Sequence, residues 1–371
     1  MKVPFYDSTR EYNNLKAEFD NAISNVINSG AFILGREVSS FEEEIKAYTG
    51  AKFAVGVANG SDALLMASEI LGYKDAEVLT PTFTFFASAS CIARLGGRPV
   101  FTDVEEDTYN MDMQDAEKRI TKETKGILPV HLFLQSTDMS ACMALAEKYK
   151  LTVLEDAAEA FGMKTMYKGR NLHAGTIGDF GVFSFFPTKT LGGYGDGGMI
   201  ITNNEELYDM AKSYRAHGTK VKYHHDYIGY NSRLDTLQAA ILQVKLKHID
   251  SAIKNRAAHA ERYRDNLKDI SQIKLPIVKD YNTAVNYVFS LQAEKRDELD
   301  SFLKECEIGT SVYYPLPLHL QKCFAYLGYK KGDFPVAEKL CQNAIALPMF
   351  PELRNEEIDY ICDKIREFYR K

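Results

Sequence analysis

What most constrains this chain is an alternation. Over its first two-thirds, short apolar runs with strand character take turns with amphipathic runs of helical period. "KFAVGV" (Lys52 to Val57) precedes "SDALLMASEIL", "EVLTP" precedes "FASASCIARL", and "RPVFTDV" precedes a polar turn. "KGILPVH" then precedes "DMSACMALAEKYK", and "LTVLED" precedes a short helical "AAEAF". Strands that alternate with helices predict an α/β fold with a mostly parallel sheet between helical layers. In such sheets, ligands bind at the carboxyl ends of the strands.

From Asn231 the pattern changes to a long helix. Leu234, Leu237, Ile241, Val244, Ile249, Ile253, Ala257 and Leu267 fall near helical spacing, and a bend or break is expected at His248–Ile249. A strand-like "NYVFSLQAE", the loop "YYPLPLHLQ" and a last helix with Ile358, Ile361, Cys362, Ile365 and Phe368 on one face complete a smaller α+β unit. The expected boundaries are residues 1–248 for the large unit and 249–371 for the small one, a division that suits 371 residues.

Composition narrows the partners. Lys and Arg total 45 against 51 Asp and Glu, so no global positive field draws the chain to nucleic acid or anionic lipid. The start, "MKVPFYDSTREYNNLKAEF", lacks the apolar core of a signal peptide, and no run is apolar enough to span a bilayer; a soluble cytoplasmic protein is expected. Six scattered cysteines contain no C-x-x-C pair and read as free thiols in or near the core. The adjacent His224 and His225 do not share a helix face, and no metal-ligand spacing accompanies them, so no metal is expected.

Gly193, Gly195 and Gly198 match G-x-G-x-x-G, the dinucleotide fingerprint. That fingerprint needs a strand before it and a helix after it, because the helix N-terminus holds the pyrophosphate. Here a β-type "MIITN" follows, so the context fails and a nicotinamide dehydrogenase is disfavoured. The glycines instead let the backbone close tightly beside Lys189, which follows the apolar strand "GVFSFFP" with its single hydroxyl, Ser184. A lysine in an apolar pocket loses the stability of its charged form and becomes a nucleophile for Schiff-base chemistry. Most lysines are merely solvated surface charges.

Pyridoxal phosphate chemistry needs more parts. A buried carboxylate must keep the pyridine nitrogen protonated, and Asp156, ending "LTVLED", is placed for that; it could equally cap the next helix, and Glu155 could fill a similar structural role. "VANGSDALL" puts Gly60 and Ser61 between strand and helix, where a phosphate or an ordinary cap would sit. "PTFTFFAS" offers Phe83, Phe85 and Phe86 as stacking rings or as core.

The ordered set "NGSDAL", "PTFTF", "PVHLF", "EDAAEAFG", "FSFFPTK", "GYGDGG", "HGTK" and "GYNSRLDTLQAAIL" resembles the DegT/DnrJ/EryC1/StrS family of nucleotide-sugar aminotransferases. The likeness extends from "NSGAFILGREVSSFEEEIKAYTG" to "YYPLPLHLQ". It implies the aspartate aminotransferase fold (pyridoxal-phosphate fold type I) with a seven-stranded-type sheet. It assigns Lys189 the Schiff base and proton shuttle, Asp156 the pyridine nitrogen, and Gly60, Ser61 and Ser184 the phosphate. Phe85 falls at the stacking position, and Asn231 where the family reaches the phosphate from a neighbouring subunit, which implies a homodimer with shared sites. His319, Tyr313 and Tyr314 become candidates for sugar or pyrophosphate contacts, with a packed aromatic loop as the alternative.

Two stretches depart from the family. Glu159 stands where glutamine is usual, and a carboxylate can donate to the cofactor's phenolic oxygen only when protonated, so a displaced pH optimum is expected. Leu134 and Ser136 stand where Gly and Pro are frequent. The form of "FFPTKTLGGYGDGG" resembles members that aminate the third carbon, which implies transfer from glutamate to a dTDP-linked 3-keto-6-deoxyhexose. The alternatives are a UDP-linked 3-keto-hexuronate, whose carboxylate would call on Arg233 or Arg215, and a 4-keto-6-deoxy sugar. A dehydratase of this fold would carry histidine in place of Lys189; a non-catalytic sensor would bind cofactor without turnover.

Overall fold

A computed structural model describes residues 1–370. The expected alternation builds a seven-stranded sheet from β1 (Phe53–Val57), β2 (Glu77–Pro81), β3 (Arg98–Thr102), β4 (Thr124–Ile127), β5 (Thr152–Asp156), β6 (Phe180–Ser184) and β7 (Gly198–Thr202). Its spatial order is β1-β7-β6-β5-β4-β2-β3. Only β7, the "MIIT" strand after the glycines, runs antiparallel to its neighbours; the other six share one direction. Those strands are buried almost throughout, as expected for a sheet covered on both faces.

The long helix is continuous over 32 residues, Thr236–Leu267, so the expected interruption at His248–Ile249 does not occur. No Gly or Pro lies in that stretch, Ile249 is buried, and His248 meets Glu18 of the helix Lys16–Ser29. "AAEAF" is not a helix either. The Ala157 amide still bonds the Val182 carbonyl of β6, and Gly162 takes φ +87°, so the segment folds as successive turns.

Beyond the helix, the strands Phe289–Ala293 and Ala344–Leu347 pair antiparallel, with the short Ile273–Lys274 on the outer edge. Tyr263, Phe289, Leu347 and the Ile358, Ile361, Cys362, Ile365 face of the last helix, Asn355–Arg370, form a separate hydrophobic core, which Val3 from the chain's start also joins. Cys91, Cys142, Cys341 and Cys362 are buried and Cys306 half-buried, whereas Cys323 is exposed; all six are free thiols. Among the described residues, no helix is long and apolar enough to cross a membrane.

Candidate active site

Because six strands share a direction, their carboxyl ends deliver residues to one edge of the sheet. Asn59 to Ser61 follow β1, Thr84 and Phe85 follow β2, Asp156 ends β5, and Ser184 ends β6 with Lys189 in the loop beyond. They converge on a cavity of about 400 Å³, closed on its far side by Tyr287, Tyr313 and Tyr314.

At one end, the helix Gly60–Ile70 points its N-terminus into the cavity. Its cap is Asn59, whose Oδ1 accepts from the Asp62 amide at 2.8 Å. Ser61 is therefore not the cap, and its exposed hydroxyl is left for an anion at the helix N-terminus. Glycine at position 60 is a matter of space: a Cβ there would lie 2.8 Å from the Ser184 Cβ.

At the other end, Asp156 is buried. Ser88 Oγ donates to its Oδ2 at 2.7 Å and the Ala158 amide to its Oδ1 at 3.2 Å. Burial pushes its carboxyl pKa up, against the pull of those two hydrogen bonds. A buried carboxylate so placed gains most from a cationic partner in the cavity. No regular helix follows for Asp156 to cap. Glu155 points the other way: it bonds His131 at 2.9 Å and the amides of Gly175, Ile177 and Gly178, which makes it a structural anchor.

Lys189 reaches the middle of the cavity, its side chain 15% exposed. Its Nζ lies 3.0 Å from Glu159 Oε1 and 4.6 Å from the Tyr287 ring centroid. Burial, the largest single cause, works to lower its pKa, but Glu159 together with Tyr287 and Asp156 raises it, and the net shift is upward. This corrects the expectation of a lysine made neutral by an apolar pocket, since the sequence did not show the carboxylate facing it. Phe85 stands at the cavity wall, 58% exposed, while Phe83 is core among Tyr109, Phe133 and Tyr314. Phe86 leans on Phe324.

Some expected residues lie elsewhere. His319 is 1% exposed and does not reach the cavity: one ring nitrogen faces Thr82 Oγ1 at 2.9 Å, the other Glu338 at 3.2 Å. It is part of the packed loop, which removes it from the substrate candidates. Tyr313 and Tyr314 do line the cavity, and Tyr314 also packs against Phe83 and Phe133 as part of an aromatic loop. Asn231 lines an adjoining depression with Arg233, and the two spaces share Asn59 and Asp196. Arg215 is buried on Glu42 and the Gly56 carbonyl, so of the two arginines only Arg233 is near the site.

The glycine loop packs on the long helix. A Cβ at Gly193 or Gly195 would strike the Gln238 side chain, whose Oε1 also accepts from the Tyr194 amide. Beside it, "HLFLQSTD" closes on itself with Phe133 at φ +61°, Leu134 buried, and the Ser136 amide donating to Asn282. Sequence reading missed Ser88, Tyr287 and Asp196.

Residues 13–366 match the model of the DegT/DnrJ/EryC1/StrS aminotransferase family. The chain belongs to that family. A pleiotropic regulatory protein of Geobacillus stearothermophilus is 48% identical, over 100% of this chain and 99% of its own. A dTDP-3-amino-3,4,6-trideoxy-alpha-D-glucose transaminase of Streptomyces venezuelae is 38% identical (99% and 96%), and a UDP-N-acetyl-3-dehydro-alpha-D-glucosamine 3-aminotransferase of Acidithiobacillus ferrooxidans 39% (98% and 97%). The crystal structure of S. venezuelae DesV, solved with a ketimine intermediate, superposes with a TM-score of 0.95 at 38% identity and covers 100% and 99% of the two chains.

As a DegT/DnrJ/EryC1/StrS aminotransferase, the chain has the aminotransferase fold expected from its motifs and is a pyridoxal-phosphate-dependent sugar aminotransferase. The cavity fits that cofactor on its own terms. It offers an amine at its centre, a buried carboxyl with raised pKa at one end, and a helix N-terminus with a free hydroxyl at the other.

Proposed function

We propose that this aminotransferase moves the amino group of L-glutamate to a dTDP-linked 3-keto-6-deoxyhexose. The product would be a dTDP-3-amino-3,6-dideoxyhexose for a surface glycan, such as lipopolysaccharide, or an antibiotic sugar, made in the cytoplasm. The observation that carries the reading is the convergence of Lys189, Asp156 and the Gly60–Ser61 helix terminus on one cavity. The transaminase of S. venezuelae supports the dTDP-linked substrate and amination at the third carbon. The A. ferrooxidans relative supports a UDP-linked sugar as the alternative, and a hexuronate would find Arg233 beside the cavity. The regulatory name of the 48% relative supports, as the other class, a sensor that keeps the cofactor without turnover.

In this reading the cofactor supplies an aldehyde for the amine and a cationic ring that draws electrons from the reacting carbon. Lys189 Nζ would hold the cofactor through that aldehyde and would be the base that moves the donor's α proton. Asp156 would keep the ring nitrogen protonated, and Ser88 and Ala158 keep Asp156 in place. Gly60, Ser61 and Ser184 would hold the phosphate, Phe85 would supply the stacking ring, and Tyr313 and Tyr314 would be the sugar contacts; all of them line the one cavity. Asn231 completes the phosphate site of the neighbouring subunit in a homodimer. The division at residues 1–248 and 249–371 belongs to the same proposal: the first unit supplies the cofactor residues and the second supplies Tyr287, Tyr313 and Tyr314 as the opposing wall.

The test follows cofactor absorbance. Glutamate should convert the loaded protein to its amine form, and a 3-keto nucleotide sugar, but not a 4-keto one, should restore it. Recovery with the 4-keto sugar alone would overturn the regiochemistry. Failure to accept an amine from any donor would favour the sensor.

A further inference from the structure

Glu159 is held at both carboxyl oxygens. Oε2 accepts the Phe133 amide at 3.0 Å, where Phe133 is fully buried, and Oε1 accepts from Lys189 Nζ at 3.0 Å. The pair lies at the cavity wall with side-chain exposures of 15% for Lys189 and 8% for Glu159. Other groups face the amine without bonding it. Asp156 is engaged by Ser88 and Ala158, the Tyr287 ring lies beneath Nζ with its hydroxyl on Thr188, and Tyr313 and Tyr314 come from the opposite loop. Glu159 is thus the one side chain among the described residues that forms an ion pair with the reactive lysine.

We infer that Glu159 is a latch on cofactor capture: in the cofactor-free chain it holds Lys189 as an ammonium, and the pair must open before the amine can bond to the incoming aldehyde. The inference rests on the cofactor assignment above. An ammonium nitrogen has no free electron pair. One proton must leave Nζ for solvent before the C–N bond forms, and the aldehyde oxygen then departs as water when the C=N bond closes. Burial favours loss of that proton, and the buried Glu159 carboxylate, with Tyr287 and Asp156 beside it, opposes it. An opposite charge at this distance moves such an equilibrium by about tenfold or more. Since its other oxygen is fixed to the Phe133 amide, the carboxylate cannot swing away freely.

The experiment mixes cofactor-free protein with pyridoxal phosphate and follows the absorbance of lysine-bound cofactor across a pH series. The wild-type capture rate should climb with pH. Glu159→Gln keeps the Phe133 bond but not the charge, so it should capture about tenfold faster at neutral pH, with its profile displaced to lower pH. Coincident profiles, or slower capture by the glutamine variant, would overturn the latch and leave the cofactor assignment standing. Absence of the absorbance from both proteins would overturn both. Should the glutamine variant not fold, Glu159→Asp withdraws the carboxylate by one methylene and should also outpace wild type; equal rates would overturn the latch.

Discussion

Each side chain of the site is set by a neighbour that the sequence does not advertise. Asp156 was legible because it ends an apolar strand, but its orientation depends on Ser88, 68 residues away along the chain. Removing that hydroxyl with Ser88→Ala takes away a hydrogen bond that opposes burial, so the Asp156 carboxyl pKa should rise further. At about 1 to 1.5 kcal/mol for one such bond, cofactor affinity should fall about tenfold in a spectroscopic titration. Unchanged affinity would reduce Ser88 to packing. Lys189 was legible from its apolar strand and glycine loop, but its charge state was not, because Glu159 faces it only after the turn beyond β5 is folded.

Elements were legible where their period is unambiguous and misread where the pattern was short or its continuity had to be guessed. The strands and the helix Gly60–Ile70 follow from apolar period and turn chemistry alone. A bend or break at His248–Ile249 was expected; the chain instead runs one continuous helix from Thr236 to Leu267. His173 shows how an element sets a pH limit. In the strand Arg170–His173 its ring is buried, Nδ1 donates to the Ala174 carbonyl at 2.6 Å, and Nε2 accepts the Gly162 amide at 2.8 Å. Burial, the largest cause, lowers its pKa from 6.5 to about 4. The unfolded chain therefore takes up the proton first, and stability is lost as pH falls from 6.5 through 4, by up to about 3 kcal/mol from this group. Denaturant melts across that window should flatten in His173→Gln; an unaltered slope would assign the acid sensitivity to other groups.

At the scale of the whole molecule, the chain's start is tied to its end. Arg10 pairs bidentately with the fully buried Glu357 of the last helix, and Arg354 bonds the same carboxylate. Association is the other whole-molecule question. If Asn231 serves the neighbouring subunit's site, Lys189→Ala and Asn231→Ala proteins, each inactive, should complement when mixed and re-equilibrated. One site of each mixed dimer would then carry neither substitution. Random pairing would restore about a quarter of the wild-type rate. No recovery, with mixed dimers shown to form, would place Asn231 in its own subunit's site.

By itself the sequence determined the α/β architecture, the β-type strand after the glycines, and the order of motifs that marks the family, because each rests on local period or on residues adjacent in the chain. It also marked Lys189, Asp156, Gly60 and Ser61 through their positions at strand ends. Tertiary structure alone decided the rest. It paired Lys189 with Glu159, freed Ser61 by giving the cap to Asn59, and brought Tyr287 over the amine from the far side of the long helix. It also buried His319 on Glu338 and Arg215 on Glu42, which took both away from substrate. The physical reason is that charge state and exposure depend on what packs across the cavity, and those partners come from distant segments whose approach no local pattern encodes.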